Sequence, residues 1–150
     1  MLVDLSNSSL HDDDILDTVD SLIQADNIQS INLTNNNIGY LGAKYIAKSL
    51  LCNTSLTYLN LHVNKIGDEG VRCLMESLPY NTTLLHLELD NNFITELGAS
   101  YISKYIFLNA SLQTLNLDFN RISVKGILMI QDAMKHNTNL KRLTTRHNYA

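Results

Sequence analysis

His62, His86, Asp90 and Asp118 carry the side chains of metal ligands and of acid–base pairs. Glu88 stands two residues before Asp90, and Tyr58 and Phe119 border the group. Imidazole and carboxylate together ligate zinc, and a histidine beside an aspartate can move a proton. The spacing argues against both chemistries. His62, Asp90 and Asp118 stand 28 residues apart, which is the signature of a repeat, and neither HExxH nor CxxC occurs. No nucleophile is placed beside the histidines, and no Walker sequence or GxGxxG marks a phosphate loop. Cys52 and Cys73 have no metal-type partners and read as reduced thiols. The expectation is a chain without catalysis, metal or cofactor.

The same 28-residue step organises the whole sequence. Ile28, Leu56, Leu84, Leu112 and Leu140 share one column. Ile31, Leu59, Leu87, Leu115 and Leu143 share the next, then Leu33, Leu61, Leu89 and Leu117, with Thr145 as the exception. Asn36, Asn64, Asn92, Asn120 and Asn148 follow, and two residues later Ile38, Ile66, Ile94 and Ile122. No gap is needed. The apolar–polar alternation of the first part predicts a short strand with one buried face. The second part changes period: Val71, Leu74, Met75 and Leu78 fall at i, i+3, i+4 and i+7 of a helix. Equivalent sets are Ala43, Ile46, Ala47, Leu50; Ala99, Ile102, Ser103, Ile106; and Ile127, Ile130, Gln131, Met134. Strand then helix, repeated, predicts a parallel sheet with right-handed crossovers. One such unit cannot bury its apolar face alone, whereas a stack of them can.

The pattern LxxLxLxxNxI resembles the leucine-rich-repeat family over essentially the whole chain. The period and the turns IGDEG and NTTL resemble its ribonuclease-inhibitor subclass, found also in NOD-like receptors and Ran GTPase-activating proteins. The resemblance implies an α/β solenoid, a horseshoe arc with a concave parallel sheet and convex helices. It implies one domain over residues 1–150, with repeats at about 1–27, 28–55, 56–83, 84–111 and 112–139 and a partial one at 140–150. It also implies that the column asparagines bond backbone groups left open by the turn. It is specific for fold and says little about function.

Local positions carry mechanical readings. Gly39, Gly67, Thr95 and Ser123 stand where helix N-caps belong, and Asp68, Glu69 and Glu96 follow in the first turns. Gly42, Gly70, Gly98 and Gly126 are expected to let each helix approach the strand layer. The first repeat departs from the pattern: Ser8 replaces asparagine, Asp14 replaces glycine, and a helix over about 13–25 carries Thr18 at an apolar position. The last stops after its strand, with Thr145 for leucine and Ala150 for isoleucine. Asn53, Asn81 and Asn109 lie in glycosylation triplets, as do Asn7 and Asn32, but the periodic three read as a structural turn.

Composition bounds the partner. Apolar residues make up 45% and charged residues 17%, a globular balance. The net charge of −4 argues against nucleic acid. No apolar run approaches the ~18 residues of a membrane span, and MLVDLSNSSLHDDD lacks the basic start of a signal peptide. A cytoplasmic protein off the membrane is expected. Charge is also polar along the chain: seven acids precede Asn27 with no base among them, and Lys135, Lys141, Arg142 and Arg146 follow Asp132 with no acid. Weak end-to-end self-association is therefore one possible partner mode.

The outward strand residues place Tyr58, His62, His86, Glu88, Asp90, Asp118 and Phe119 on the concave face. Aromatic anchors and carboxylates there suit a protein partner presenting Lys or Arg. A protein-binding module is the expected function. The alternatives are a regulator of a small GTPase, implied by the Ran GTPase-activating-protein resemblance, and a self-associating scaffold. Short asparagine-rich chains of this style also resemble effectors that intracellular bacteria deliver into host cytoplasm.

Overall fold

The computed structural model describes residues 1–148. The expectation for Ala150 lies outside them. Six three-residue strands form one sheet in chain order: β1 (Leu2–Asp4), β2 (Ser30–Asn32), β3 (Tyr58–Asn60), β4 (His86–Glu88), β5 (Thr114–Asn116) and β6 (Arg142–Thr144). Every pairing is parallel and steps by one period, so that Tyr58 faces His86, His86 faces Thr114, and Thr114 faces Arg142. Helices α3 (Tyr40–Leu50), α4 (Gly67–Ser77), α5 (Glu96–Ile106) and α6 (Val124–Met134) return the chain on the other side.

The core lies between the two layers. Ile31, Leu59 and Leu87 are fully buried at the strand centres, and Leu33, Leu61, Leu89 and Leu117 are buried just beyond. Full burial of one such leucine stabilises by about 1.5–3 kcal/mol. The helical sets Ala43, Ile46, Ala47, Leu50 and Val71, Leu74, Met75, Leu78 are buried as expected. The set on α6 is only partly so: Ile130 is buried, Ile127 and Met134 are half-buried, and Gln131 is exposed. No further repeat covers α6 among the described residues, and β1 and β6 lose burial for the same reason.

Two asparagine ladders tie the repeats together. Asn64 Nδ2 donates to the Leu33 carbonyl at 2.9 Å and the Leu61 carbonyl at 3.1 Å, while its Oδ1 accepts from the Ile38 N–H at 3.0 Å. The backbone groups opened by the turn are thus satisfied inside the protein. Asn53, Asn81, Asn109 and Asn137 form the second ladder: Asn109 Nδ2 donates to the Leu78 carbonyl at 2.7 Å, and Oδ1 accepts from Leu112 N at 2.6 Å. The periodic triplets are structural turns, and their amides are buried.

Three local expectations need revision. Gly67 is not an N-cap: it begins α4 with φ +63°, where a side chain is strained, and Ile66 holds the cap position. Thr95 and Ser123 do cap, accepting from Leu97 N and Gly126 N. The glycines at the helix starts approach the turn isoleucines and the preceding helix rather than the strands. A Cβ on Gly98 would stand 2.5 Å from Ile94 Cγ2 and from Asp68 Oδ1, the carboxylate that accepts from Thr95 N and Gly98 N.

The first repeat holds no regular helix over 13–25. Short helices α1 (Asp12–Asp14) and α2 (Asp20–Gln24) flank a π-turn at Ile15–Val19. A π-turn inserts one extra residue, so the register slips by one. Ile23 reaches the core in place of Leu22, and Thr18 faces solvent. A polar residue at a core position is accommodated by moving it out.

Candidate partner-binding surface

The strand residues flanking the buried centres present three rows on the open face of the sheet. One row runs Ser30, Tyr58, His86, Thr114, Arg142, a second Asn32, Asn60, Glu88, Asn116, Thr144. The third, just past the strands, holds Thr34, His62, Asp90, Asp118 and Arg146. All seven residues expected from the sequence lie on this face or its border. They do not form one acidic patch.

Asp90 and Asp118 are already engaged. Asp90 Oδ2 touches His62 Nδ1, charge facing charge off the line of a hydrogen bond when the imidazole is protonated. Asp118 accepts from the Arg146 backbone N–H at 2.7 Å and lies 3.7 Å from Arg146 Nε. The two carboxylates share one row; Asp118 faces the Arg146 cation, whereas Asp90 faces the His62 ring. Glu88 is different: it lies beside a small hollow of about 70 Å3 floored by Thr114 and Asn116, with Arg142 on the far wall.

Tyr58 and His86 pair across β3 and β4 with ring centroids 6.1 Å apart, and His86 Nδ1 is bonded to Thr114 Oγ1 at 2.9 Å. Burial pushes the Tyr58 phenol above its ordinary value, and the nearby charges of Glu88 and Asp90 push it the same way. The Glu88 carboxylate thus acts electrostatically on the Tyr58 end of the aromatic pair.

The next position along the chain is left-handed in every repeat. Asn7, Asn35, Val63, Asn91, Phe119 and His147 have φ between 52° and 56°. Asparagine tolerates this region, whereas a β-branched or bulky side chain there is strained. Phe119 is nevertheless 55% exposed, its ring stacked on His147 at 4.4 Å. Phe93, two residues past Asn91, is also left-handed and exposed, with the Arg121 guanidinium 4.6 Å over its ring. Phe93 and Arg121 were missed from sequence, because their column is polar elsewhere and periodicity gives it no role. A phenylalanine at a solvent position of a polar column was the available signal.

Among the described residues, no three His, Cys, Asp or Glu side chains converge as a metal would require, and no helix is long and apolar enough to cross a membrane. Repeating strand–turn–helix units, an asparagine ladder and a family model for the leucine-rich repeat matching residues 26–47, 52–75, 80–103 and 108–130 coincide. The chain belongs to the leucine-rich-repeat family. The matches leave out the first repeat and β6, where the columns weaken. A solved structure titled Leiomodin-1 Actin-Binding Site 2 (ABS2) superposes on this leucine-rich-repeat chain with a TM-score of 0.73 at 22% identity. The overlap covers 92% of this chain and 79% of that one, a likeness of fold. No curated protein matches the chain in sequence.

Proposed function

We propose that this leucine-rich-repeat chain is a non-catalytic module that binds a protein partner on the concave face and its adjoining turn. Tyr58, His86, Glu88 and Phe119 make the main contacts; His62, Asp90 and Asp118 hold the floor in shape. The carrying observation is Phe119, an exposed aromatic ring kept at a left-handed position where asparagine serves the fold better. Strain of this kind costs of order 1–3 kcal/mol and concentrates where recognition needs it. The leiomodin structure supports the general reading, since that protein's domain is titled as an actin-binding site. It does not nominate actin here.

Phe119→Asn tests the reading without endangering the fold. Wild type and variant are used to capture proteins from cytosol, and the captured partner is then titrated in purified form. The expected result is a loss of affinity of at least tenfold with the variant, the scale of an aromatic hot spot. Equal affinity for both forms would move the site off this face.

Self-association is a second reading with its own observation. Leu16 and Leu128 are 47% and 58% exposed and share one 28-residue column at opposite ends of the stack. Asp13 and Lys125 share another, although Lys125 already pairs with Glu96 at 2.8 Å. Sedimentation should then show growth with concentration that Leu128→Glu abolishes. Regulation of a small GTPase has no residue of its own in this structure, and a GTP hydrolysis assay decides it.

A further inference from the structure

The outer helical layer carries two grooves, one on each side of α3. The first, of about 600 Å3, opens toward the first repeat and is lined by Leu16, Tyr45 and Cys52. The second, of about 360 Å3, opens toward α4 and is lined by Ala47, Cys73 and Tyr80. Lys44, Lys48 and Leu51 line both, so α3 is the ridge between them. The apolar rims are uncovered: Leu16 is 47%, Leu51 48% and Tyr80 74% exposed. Concave apolar surface of this size marks interaction sites more often than scattered single side chains do. The first groove also borders the π-turn at Ile15–Val19, an irregularity common at functional sites.

Charge selects the occupant. Lys44 and Lys48 stand one turn apart on the exposed side of α3, and among the described residues neither is bonded to a carboxylate. Arg72, on the far wall, is committed to Glu69 at 2.9 Å and Glu76 at 3.0 Å. Two cations without a carboxylate partner among the described residues therefore crown a ridge with apolar hollows on both sides. Asp13, Asp14 and Asp17 belong to the first-repeat segment, so the anion fits over α3 and not beyond the first groove.

We propose that this face docks an acidic amphipathic helix of a partner protein, laid across α3. Packed helices lie ~8–10 Å apart, so the two grooves are separated by about that distance. Positions seven residues apart on a helix are separated by ~10.5 Å. An apolar side chain at position i enters one groove and another at i+7 enters the second. Asp or Glu at i+3 and i+4 then meets Lys44 and Lys48 on the crest, as charge-assisted hydrogen bonds. This surface is independent of the concave face.

The test is a displayed library of helical peptides, leucine or phenylalanine at i and i+7 and randomised at i+3 and i+4. It is selected on the whole chain and counter-selected on the Lys44→Glu, Lys48→Glu double variant. The expected result is enrichment of Asp and Glu at the randomised positions. An enriched peptide, labelled for fluorescence anisotropy, should bind the double variant at least tenfold more weakly than wild type. Replacing its acids by lysine should recover part of that loss, and Phe119→Asn should change nothing. Lys44→Gln with Lys48→Gln, checked by an unchanged circular dichroism melt, gives the same direction without charge reversal. No enrichment, enrichment of neutral or basic residues, or indifference to the lysine variants overturns the proposal. So does binding to phosphatidylserine vesicles that depends on the same lysines when no peptide is enriched, which would make the face a membrane contact.

Discussion

The Asn120 side chain holds the backbone of the preceding turn: Asn92 N–H donates to Asn120 Oδ1 at 2.9 Å, and Asn120 Nδ2 donates to the Leu89 carbonyl at 3.0 Å. Each column asparagine thereby clamps its own repeat onto the one before it. The clamp is directional, and Ser8 lacks the amide needed to make it.

Asn92 should therefore be costly to remove. It is fully buried, donates to the Leu61 carbonyl at 2.8 Å and the Asp90 carbonyl at 3.1 Å, and accepts from Ile66 N at 3.3 Å. Each buried group left without a partner costs ~1–3 kcal/mol, so Asn92→Ala should lose about 3 kcal/mol. Asn148→Ala, in the half-buried last strand turn, should lose less. Urea unfolding of both variants checks the order, and equal losses would contradict a clamp that depends on burial.

The left-handed column makes a prediction of opposite sign. Val63 is β-branched at φ 52°, where Asn35 and Asn91 stand in neighbouring repeats. Val63→Asn should raise stability by about 1 kcal/mol through relief of backbone strain. A thermal melt that falls instead would show that Val63 packs well enough to outweigh its backbone.

The slipped register of the first repeat can be tested by two truncations. Ile23 is fully buried and Leu22 only half-buried, although the 28-residue register aligns Leu22 with the buried Leu50 and Leu78. Ile23→Ala should cost ~2–5 kcal/mol and Leu22→Ala distinctly less. The reverse order would restore a regular helix and remove the π-turn.

Periodicity made the architecture legible because each strand centre and each helix face repeats a burial requirement. Leu87 and Val71 are buried for the same reason as their neighbours, and counting by 28 finds them. What broke the count was local. Thr18 could be seen as a misfit, but the π-turn that expels it depends on how the segment packs against α3. That the concave residues share one face was legible, since strand alternation dictates which side chains point outward. Their pairings were only partly legible. His62 and Asp90 follow from neighbouring strands, whereas the use of Asp118 by Arg146 required the backbone of the last turn. The strain under Phe119 depends on φ, which hydrophobic pattern does not encode.

Tyr58 reports on whether Glu88 is available to a partner. Its phenol is held above the ordinary tyrosine value first by burial and then by the charges of Glu88 and Asp90. The neutral phenol is thus the form that folding favours. Folding stability from this group is intact below about pH 10 and falls as the pH rises past the unfolded value, because the folded state then binds the extra proton more tightly. The chain has seven tyrosines, so the ultraviolet phenolate titration is read as wild type minus Tyr58→Phe. Glu88→Gln should bring the Tyr58 titration part of the way down, and no further, because burial remains. A partner lysine or arginine bound at Glu88 should lower it in the same direction, for it cancels the same charge. A partner that binds while leaving the Tyr58 titration in place, or a Glu88→Gln variant that does not move it, would separate the carboxylate from the aromatic pair and remove Glu88 from the recognition surface.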